Sequence, residues 1–192
     1  MSSAKEAVNN LEFHPVSIDR YADLATFFER HGNLNYCWCM RWRLKSIEFQ
    51  KAKSNERRNK LQSFVQDNIP VGVMAYHQDE AVGWCSIAPR ETYTSLESST
   101  TLKRIDNLPV WSVVCFFVDP TLRKQNLPVQ LLQAATKYAF SQGATIIEGY
   151  PVEPDKSYRF MGSPSTFEKV GFQKAGVAKN RRKIVRLYAG RK

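Results

Sequence analysis

The chain has 192 residues, 43% hydrophobic and 24% charged, which is enough to bury one sizeable core and most simply makes a single domain over residues 1–192. No apolar run approaches the ~18 residues of a spanning helix, and the first ten residues lack the hydrophobic segment of a secretory signal, so the cytoplasm is expected and a membrane role is not. The formal charge of +10 is unevenly spread: seven of the 28 basic residues fall in the last fourteen positions, with no acid among them, and eight more lie between Arg41 and Lys60. Such a field favours a polyanionic partner, or else marks a solvated surface with a basic tail.

Strands and helices alternate along the chain without repeats or a break in composition. After about ten residues expected to be flexible, Leu11 to Ile18 reads as a strand, and Asp19 as the cap of a helix from Arg20 to about Arg30 with Leu24, Phe27 and Phe28 on one face. A second helix is predicted from Asn55 through Gln66, with Leu61, Phe64 and Val65 inward and Pro70 ending it. Two apolar runs, residues 71–76 and 81–87, flank Gln78-Asp-Glu80 and read as an antiparallel hairpin. Residues 90–109 form an irregular insertion. Trp111-Ser-Val-Val-Cys-Phe-Phe-Val118 is a buried strand, followed by a basic turn and an amphipathic helix that opens at Val129 and runs to about Gln142. A short strand from Thr145 to Tyr150 completes a crossover unit, whose two strands must be parallel. A short helix at Pro164 to Val170, stopped by Gly171, and strands near Phe172 and at Ile184 to Tyr188 close the chain.

The junction after Val118 carries the first chemical signal. A strand that breaks at Asp119-Pro120 into Arg123-Lys-Gln-Asn-Leu-Pro128 and then a helix brings free backbone N–H groups and the positive end of the helix dipole to one place, which suits a pyrophosphate.

This order of elements, with Phe-Glu-Lys-Val-Gly-Phe at residues 167–172, resembles the GNAT acyltransferase superfamily. The resemblance spans most of the chain and implies an α/β GNAT fold, a mixed central sheet of about six to seven strands with flanking helices. It implies acetyl-CoA as cosubstrate and direct transfer of its acyl group to an amine acceptor. The superfamily's pyrophosphate pattern, Gln/Arg-x-x-Gly-x-Gly/Ala, lands on Arg123, Lys124, Gln125, Asn126, Leu127 and Pro128. Asn126 replaces the first glycine and Pro128 the second small residue. Asn tolerates positive φ better than other non-glycine residues, and Pro suits a first helical turn, although it removes one donor. The resemblance also implies that pantetheine bonds to the exposed backbone of Phe116, Phe117 and Val118, on a strand splayed from its parallel neighbour.

Acyl transfer needs a base for the ammonium, donors for the oxyanion and often an acid for the leaving thiolate. The superfamily's usual tyrosine acid is replaced here by Phe167. Ser165 and Tyr150 are candidate substitutes, as are Thr166 and Tyr158. Glu148 and Glu153, which flank the Gly149-Tyr150-Pro151 turn, are candidate bases, the alternative being a strand-end charge and a loop charge. Cys37-Trp38-Cys39-Met40-Arg41-Trp42 looks like a segment found in a subset of GNAT-like proteins, where this region helps form the acceptor pocket. Cys37 and Trp38 are therefore candidate substrate contacts, with Trp38 flanking an apolar or cationic acceptor. Cys-x-Cys supplies only two metal ligands and no others are suitably spaced, so no metal is expected. Two other classes stay in view: a GNAT-like binding or regulatory module without catalysis, and a nucleic-acid-binding role for the tail from Lys179 to Lys192, ranked last. A homodimer is left open.

Overall fold

The computed structural model describes residues 10–31, 37–122, 126–179 and 181–190. A seven-stranded mixed sheet runs in the order β1-β2-β3-β4-β5-β7-β6. Its strands are β1 (Leu11–Pro15), β2 (Val73–His77), β3 (Glu80–Pro89), β4 (Trp111–Val118), β5 (Ile146–Gly149), β6 (Gln173–Val177) and β7 (Lys183–Tyr188). The helices are α1 (Tyr21–Arg30), α2 (Ser46–Lys51), α3 (Ser54–Gln66), α4 (Thr94–Glu97), α5 (Leu127–Ser141) and α6 (Pro164–Val170).

The sheet is antiparallel from β1 to β4 and again from β5 through β7 to β6, and its one parallel pair is β4 with β5. The hairpin between β2 and β3 turns at Gln78 and Asp79, both at positive φ (50° and 66°), as a two-residue turn matched to the strand twist demands. Each face of the sheet carries its own core. On one, α1 lays down Leu24, Phe27 and Phe28, which reach Trp84, with Phe28 edge-on to the Trp84 ring at 5.1 Å. On the other, α5 buries Leu127, Leu131, Leu132 and Ala135 against Val113, Ile147 and Phe167.

Two differences from the sequence expectation have clear causes. Ser46–Lys51 is an additional short helix with no buried residue, so it left no periodic apolar signal. Helix α5 starts at Leu127 rather than Val129, because Asn126 takes the left-handed conformation (φ 62°, ψ 6°) and its carbonyl accepts from the N–H groups of Val129 and Gln130 at 3.1 and 3.2 Å. Pro128 thus lies within the first turn, where its missing N–H has no helical acceptor to lose. In the stretch from residue 90 to 109, a 3-10 turn at Arg90–Thr92 and α4 precede an irregular run. The initial residues expected to be flexible lie, up to residue 9, outside the described residues.

Position along β4 decides the rest. Ser86 pairs with Cys115 and Ile87 with Val113, so Val114 is an extra residue on β4, a β-bulge. On the other side, β4 pairs with β5 only through Trp111, Ser112 and Val113. The strands part where the bulge falls. From Val114 to Val118 the edge of β4 facing β5 makes no ladder bonds to it.

Candidate active site

The opening between β4 and the segment after β5 is a cleft of about 740 Å³. Its floor is Cys115, Phe116, Phe117 and Val118; Pro128 at the start of α5 stands at one side. Val152, Gly162, Ser163 and Thr166 line the β5 side, and Cys37, Cys39, Arg41 and Trp42 line the other. The Val152 N–H donates to the Gly162 carbonyl at 2.8 Å, which closes the loop between them. Gly162 (φ 90°) is required here: a Cβ would come within 2.8 Å of the Phe116 ring and 2.9 Å of Phe167. The Phe116 and Phe167 rings meet edge-on, centroids 5.9 Å apart.

The sequence candidates fall into three groups. Phe116, Phe117, Val118 and Pro128 line the cleft together with Cys37. Asn126 and Leu127 stand at the N-terminus of α5, their amides ahead of the helix's first internal bonds. Arg123, Lys124 and Gln125 lie outside the described residues.

Glu148 and Tyr150 are placed elsewhere. Glu148 is 1% exposed, and both its oxygens are used: Oε1 accepts from Arg90 Nη1 at 3.0 Å and the Tyr150 hydroxyl at 2.7 Å, and Oε2 from Arg186 Nε at 2.8 Å. Arg186 also grips both oxygens of Asp106, at 2.6 and 3.0 Å, and Arg90 reaches Glu97 at 2.6 Å and the Leu102 carbonyl at 2.6 Å. Tyr150 is fully buried beside Ser112, 2.9 Å away, and burial followed by the Glu148 charge pushes its hydroxyl well above the usual phenol range. A carboxylate this buried, and absent from the cleft lining, is out of reach of an amine bound there. These residues secure the closed part of the seam between β4 and β5, and neither lines the cleft.

Glu153 is exposed between the lining residues Val152 and Pro154. Ser165 is exposed too, and bonds through its hydroxyl to Ser163 Oγ at 3.0 Å; Ser163 in turn caps α6 and meets Thr166 Oγ1 at 2.9 Å. Of these hydroxyls, Ser163 and Thr166 face the cleft. Phe167 is fully buried.

Trp38 does not flank the cleft. It lies in the core at 2% exposure with φ 46°, its indole N–H donating to Ser54 Oγ at 3.1 Å and its ring packed on Phe28. Trp42 takes the position expected of Trp38 and lines the cleft. The two tryptophans are four residues apart, but residues 37–43 form turns, with Trp38 and Cys39 at positive φ, so helical spacing gave no guide. Cys115 was also missed as a lining residue. Its facing is set by the bulge at Val114, which leaves no mark in a continuous apolar run. Cys39 Sγ lies 3.5 Å from Cys115 Sγ. A hydrogen bond from Cys39 lowers the Cys37 thiol to about 7, against an opposing push from burial. All four cysteines are free, and among the described residues no group of His, Cys, Asp or Glu side chains could hold a metal ion.

A mixed sheet opened along one strand, with a helix N-terminus beside the exposed edge and an apolar trough above it, defines the class: an α/β domain with a cleft at a parted pair of parallel strands. A family model described as the acetyltransferase (GNAT) family matches residues 34–160. The chain belongs to that family. Solved structures share the fold at low identity. An aminoglycoside acetyltransferase AAC(6')-Ib in complex with coenzyme A is 13% identical, with a TM-score of 0.58, covering 94% of this chain and 95% of that one. The PaiA N-acetyltransferase from Thermoplasma acidophilum, also with coenzyme A, is 16% identical with a TM-score of 0.53, covering 93% and 99%. An agmatine N-acetyltransferase is 12% identical with a TM-score of 0.55, covering 94% and 100%. No curated protein matches the sequence. Among the described residues no helix is long and apolar enough to cross a membrane.

Proposed function

We propose that this protein transfers an acetyl group from acetyl-CoA to an amine by direct attack. The observation that carries the reading is the stretch of β4 from Val114 to Val118, paired to β3 on one side, released from β5 on the other and roofed by the cleft. An unpaired strand edge is a template for an extended amide chain, and the backbone of Phe116, Phe117 and Val118 bonds the pantetheine arm. The amides of Asn126 and Leu127 receive the diphosphate with the helix dipole behind them, helped by Arg123, Lys124 and Gln125. Main-chain N–H groups on the edge of β4 released from β5 receive the thioester carbonyl and stabilise its oxyanion. Glu153, beside the mouth, takes the ammonium proton; Ser163 and Thr166 supply the hydroxyls nearest the leaving sulfur, with Ser165 behind them. Glu148 and Tyr150 serve as positioning residues that hold the seam. The protein works in the cytoplasm, where acetyl-CoA and reduced thiols coexist.

Isothermal titration with acetyl-CoA, followed by measurement of CoA release over a panel of amines, tests this. Saturable binding with turnover of at least one amine is expected. No heat at millimolar acetyl-CoA would defeat it. A second reading, a GNAT-like module that binds acetyl-CoA without turnover, draws on the burial of Phe167 at the usual acid position; one good acceptor ends it.

A further inference from the structure

A second hollow, of about 340 Å³, opens beside the cleft and shares Arg41 and Trp42 with it as a common wall. Its lining is opposite in character to the apolar trough. Arg41 and Arg182 both line it, Ser95, Ser98, Ser99, Thr100 and Thr101 line it with them, and no carboxylate is among the lining residues. Both guanidinium groups lie near Tyr158: Arg41 at 6.0 Å and Arg182 at 5.8 Å from the ring centroid, with Arg41 Nη2 donating to the Tyr158 hydroxyl at 3.3 Å. Arg41 forms no ion pair among the described residues. In the shared wall, the Trp42 indole N–H is a buried donor without an acceptor among the described residues.

Burial pushes the Arg182 guanidinium below its usual range. Arg182 Nη1 also meets Met161 Sδ at 3.4 Å. Two planar guanidinium groups with Thr100 and Thr101 beside them suit a carboxylate or a phosphate, and they repel an ammonium or guanidinium.

We infer that this hollow is the acceptor subsite and that it selects amines carrying an oxyanion, a carboxylate or a phosphate, whose amino group extends past Trp42 into the cleft. The inference rests on the proposed acetyl transfer, and it assigns the acceptor a charge opposite to that of some fold neighbours' ligands: one such structure holds kanamycin with coenzyme A. The sign is set by residues of this chain. Its charge of +10 reinforces the choice, because the overall field draws anionic acceptors and disfavours polyamines.

The test uses matched acceptors with the full-length protein and saturating acetyl-CoA: β-alanine against β-alaninamide for the carboxylate arm, phosphoethanolamine against ethanolamine for the phosphate arm, and kanamycin as a polycation. The anionic member of at least one pair is expected to show a kcat/KM higher by about tenfold or more, with kanamycin last. The arm with the larger ratio tells carboxylate from phosphate. Arg41→Gln and Arg182→Gln should each collapse that ratio, and the double variant should abolish it. Equal rates within both pairs, or a preference for the amide, ethanolamine or kanamycin, would overturn the inference while leaving acetyl transfer standing.

Equilibrium binding keeps the two failures apart. Should no amine turn over, titration of phosphoethanolamine and ethanolamine into the protein reads the selectivity directly, and equal affinities overturn the inference. Should acetyl-CoA itself fail to bind, acetyl transfer falls, whereas heat from inorganic phosphate that disappears in Arg182→Gln would still establish the anion site. Absence of that heat would remove the site as well.

Discussion

The line between β4 and β5 has two halves with opposite logic. Where the strands stay paired, at residues 111–113 and 147–149, buried charges are matched: Glu148 is gripped by Arg90, Arg186 and Tyr150, with Ser112 completing the network. Where they part, from Val114 onward, the side chains of β4 are Cys, Phe and Val, and the strand itself offers main-chain amides and a thiol. The residue types that look catalytic therefore hold the scaffold, and the types that look structural shape the site. Because Glu148 is buried, held from both oxygens and away from the cleft, strong electrostatics here signals rigidity rather than reactivity.

The closed half should break hardest. Glu148→Ala leaves two buried guanidinium groups without their shared partner and is expected to cost about 3–5 kcal/mol in urea unfolding; a loss under about 1 kcal/mol would mean that the network does not secure the seam. On the open half, Pro128→Ala restores an amide donor beside the proposed diphosphate site. A hydrogen bond to a charged group contributes about 1.5–3 kcal/mol, so acetyl-CoA should bind tighter by about tenfold or more in isothermal titration, and no change would remove residue 128 from the phosphate site. Gly162→Ala puts a Cβ against Phe116 and Phe167 at positive φ, so it should destabilise the fold by about 1–3 kcal/mol and raise the acetyl-CoA dissociation constant as the Phe116 floor shifts. An unaltered constant would show the floor to be more forgiving than the geometry indicates. Asn126→Gly, which relieves a left-handed non-glycine residue and clears space over the turn, should tighten binding severalfold.

The smallest effect is chemical. Cys37 lines the cleft, and its thiol sits near 7, so its thiolate fraction rises with pH and its alkylation rate should reach half its plateau at about pH 7. Cys39 and Cys85 are buried thiols held well above the usual range, chiefly by burial, and should remain unmodified. Acetyl-CoA should slow the reaction at Cys37. Alkylation indifferent to acetyl-CoA would place the ligand away from that wall.

Most elements were legible because they obey simple periods. The apolar run at residues 111–118 is a strand with those same limits, and the spacing of Leu24, Phe27 and Phe28 marks α1. The site was legible where it depends on local chain, as at Asn126, whose positive φ follows from what Asn tolerates. It was not legible where partners come from afar. Glu148 meets Arg90 and Arg186 across separations of 58 and 38 residues, and nothing near Glu148 in sequence announces either. Trp38 is buried and Trp42 lines the cleft in its place because a turn, unlike a helix or strand, imposes no repeating direction on side chains. In the basic tail the strand expected at Ile184 to Tyr188 is β7, an inner strand, and its Arg186 faces Glu148 and Asp106, a pairing the sequence did not announce.

Arg90 has one more consequence. Its Nη2 atom donates to the carbonyls of Leu96 and Leu102, on either side of the hydroxyl-bearing run at residues 98–101, so that run hangs like a short hammock between two fixed posts. Thr100 and Thr101 lie in that run away from the sheet, so if the proposed acceptor subsite holds, exchanging them would alter acceptor preference while β4 and the trough stay as they are.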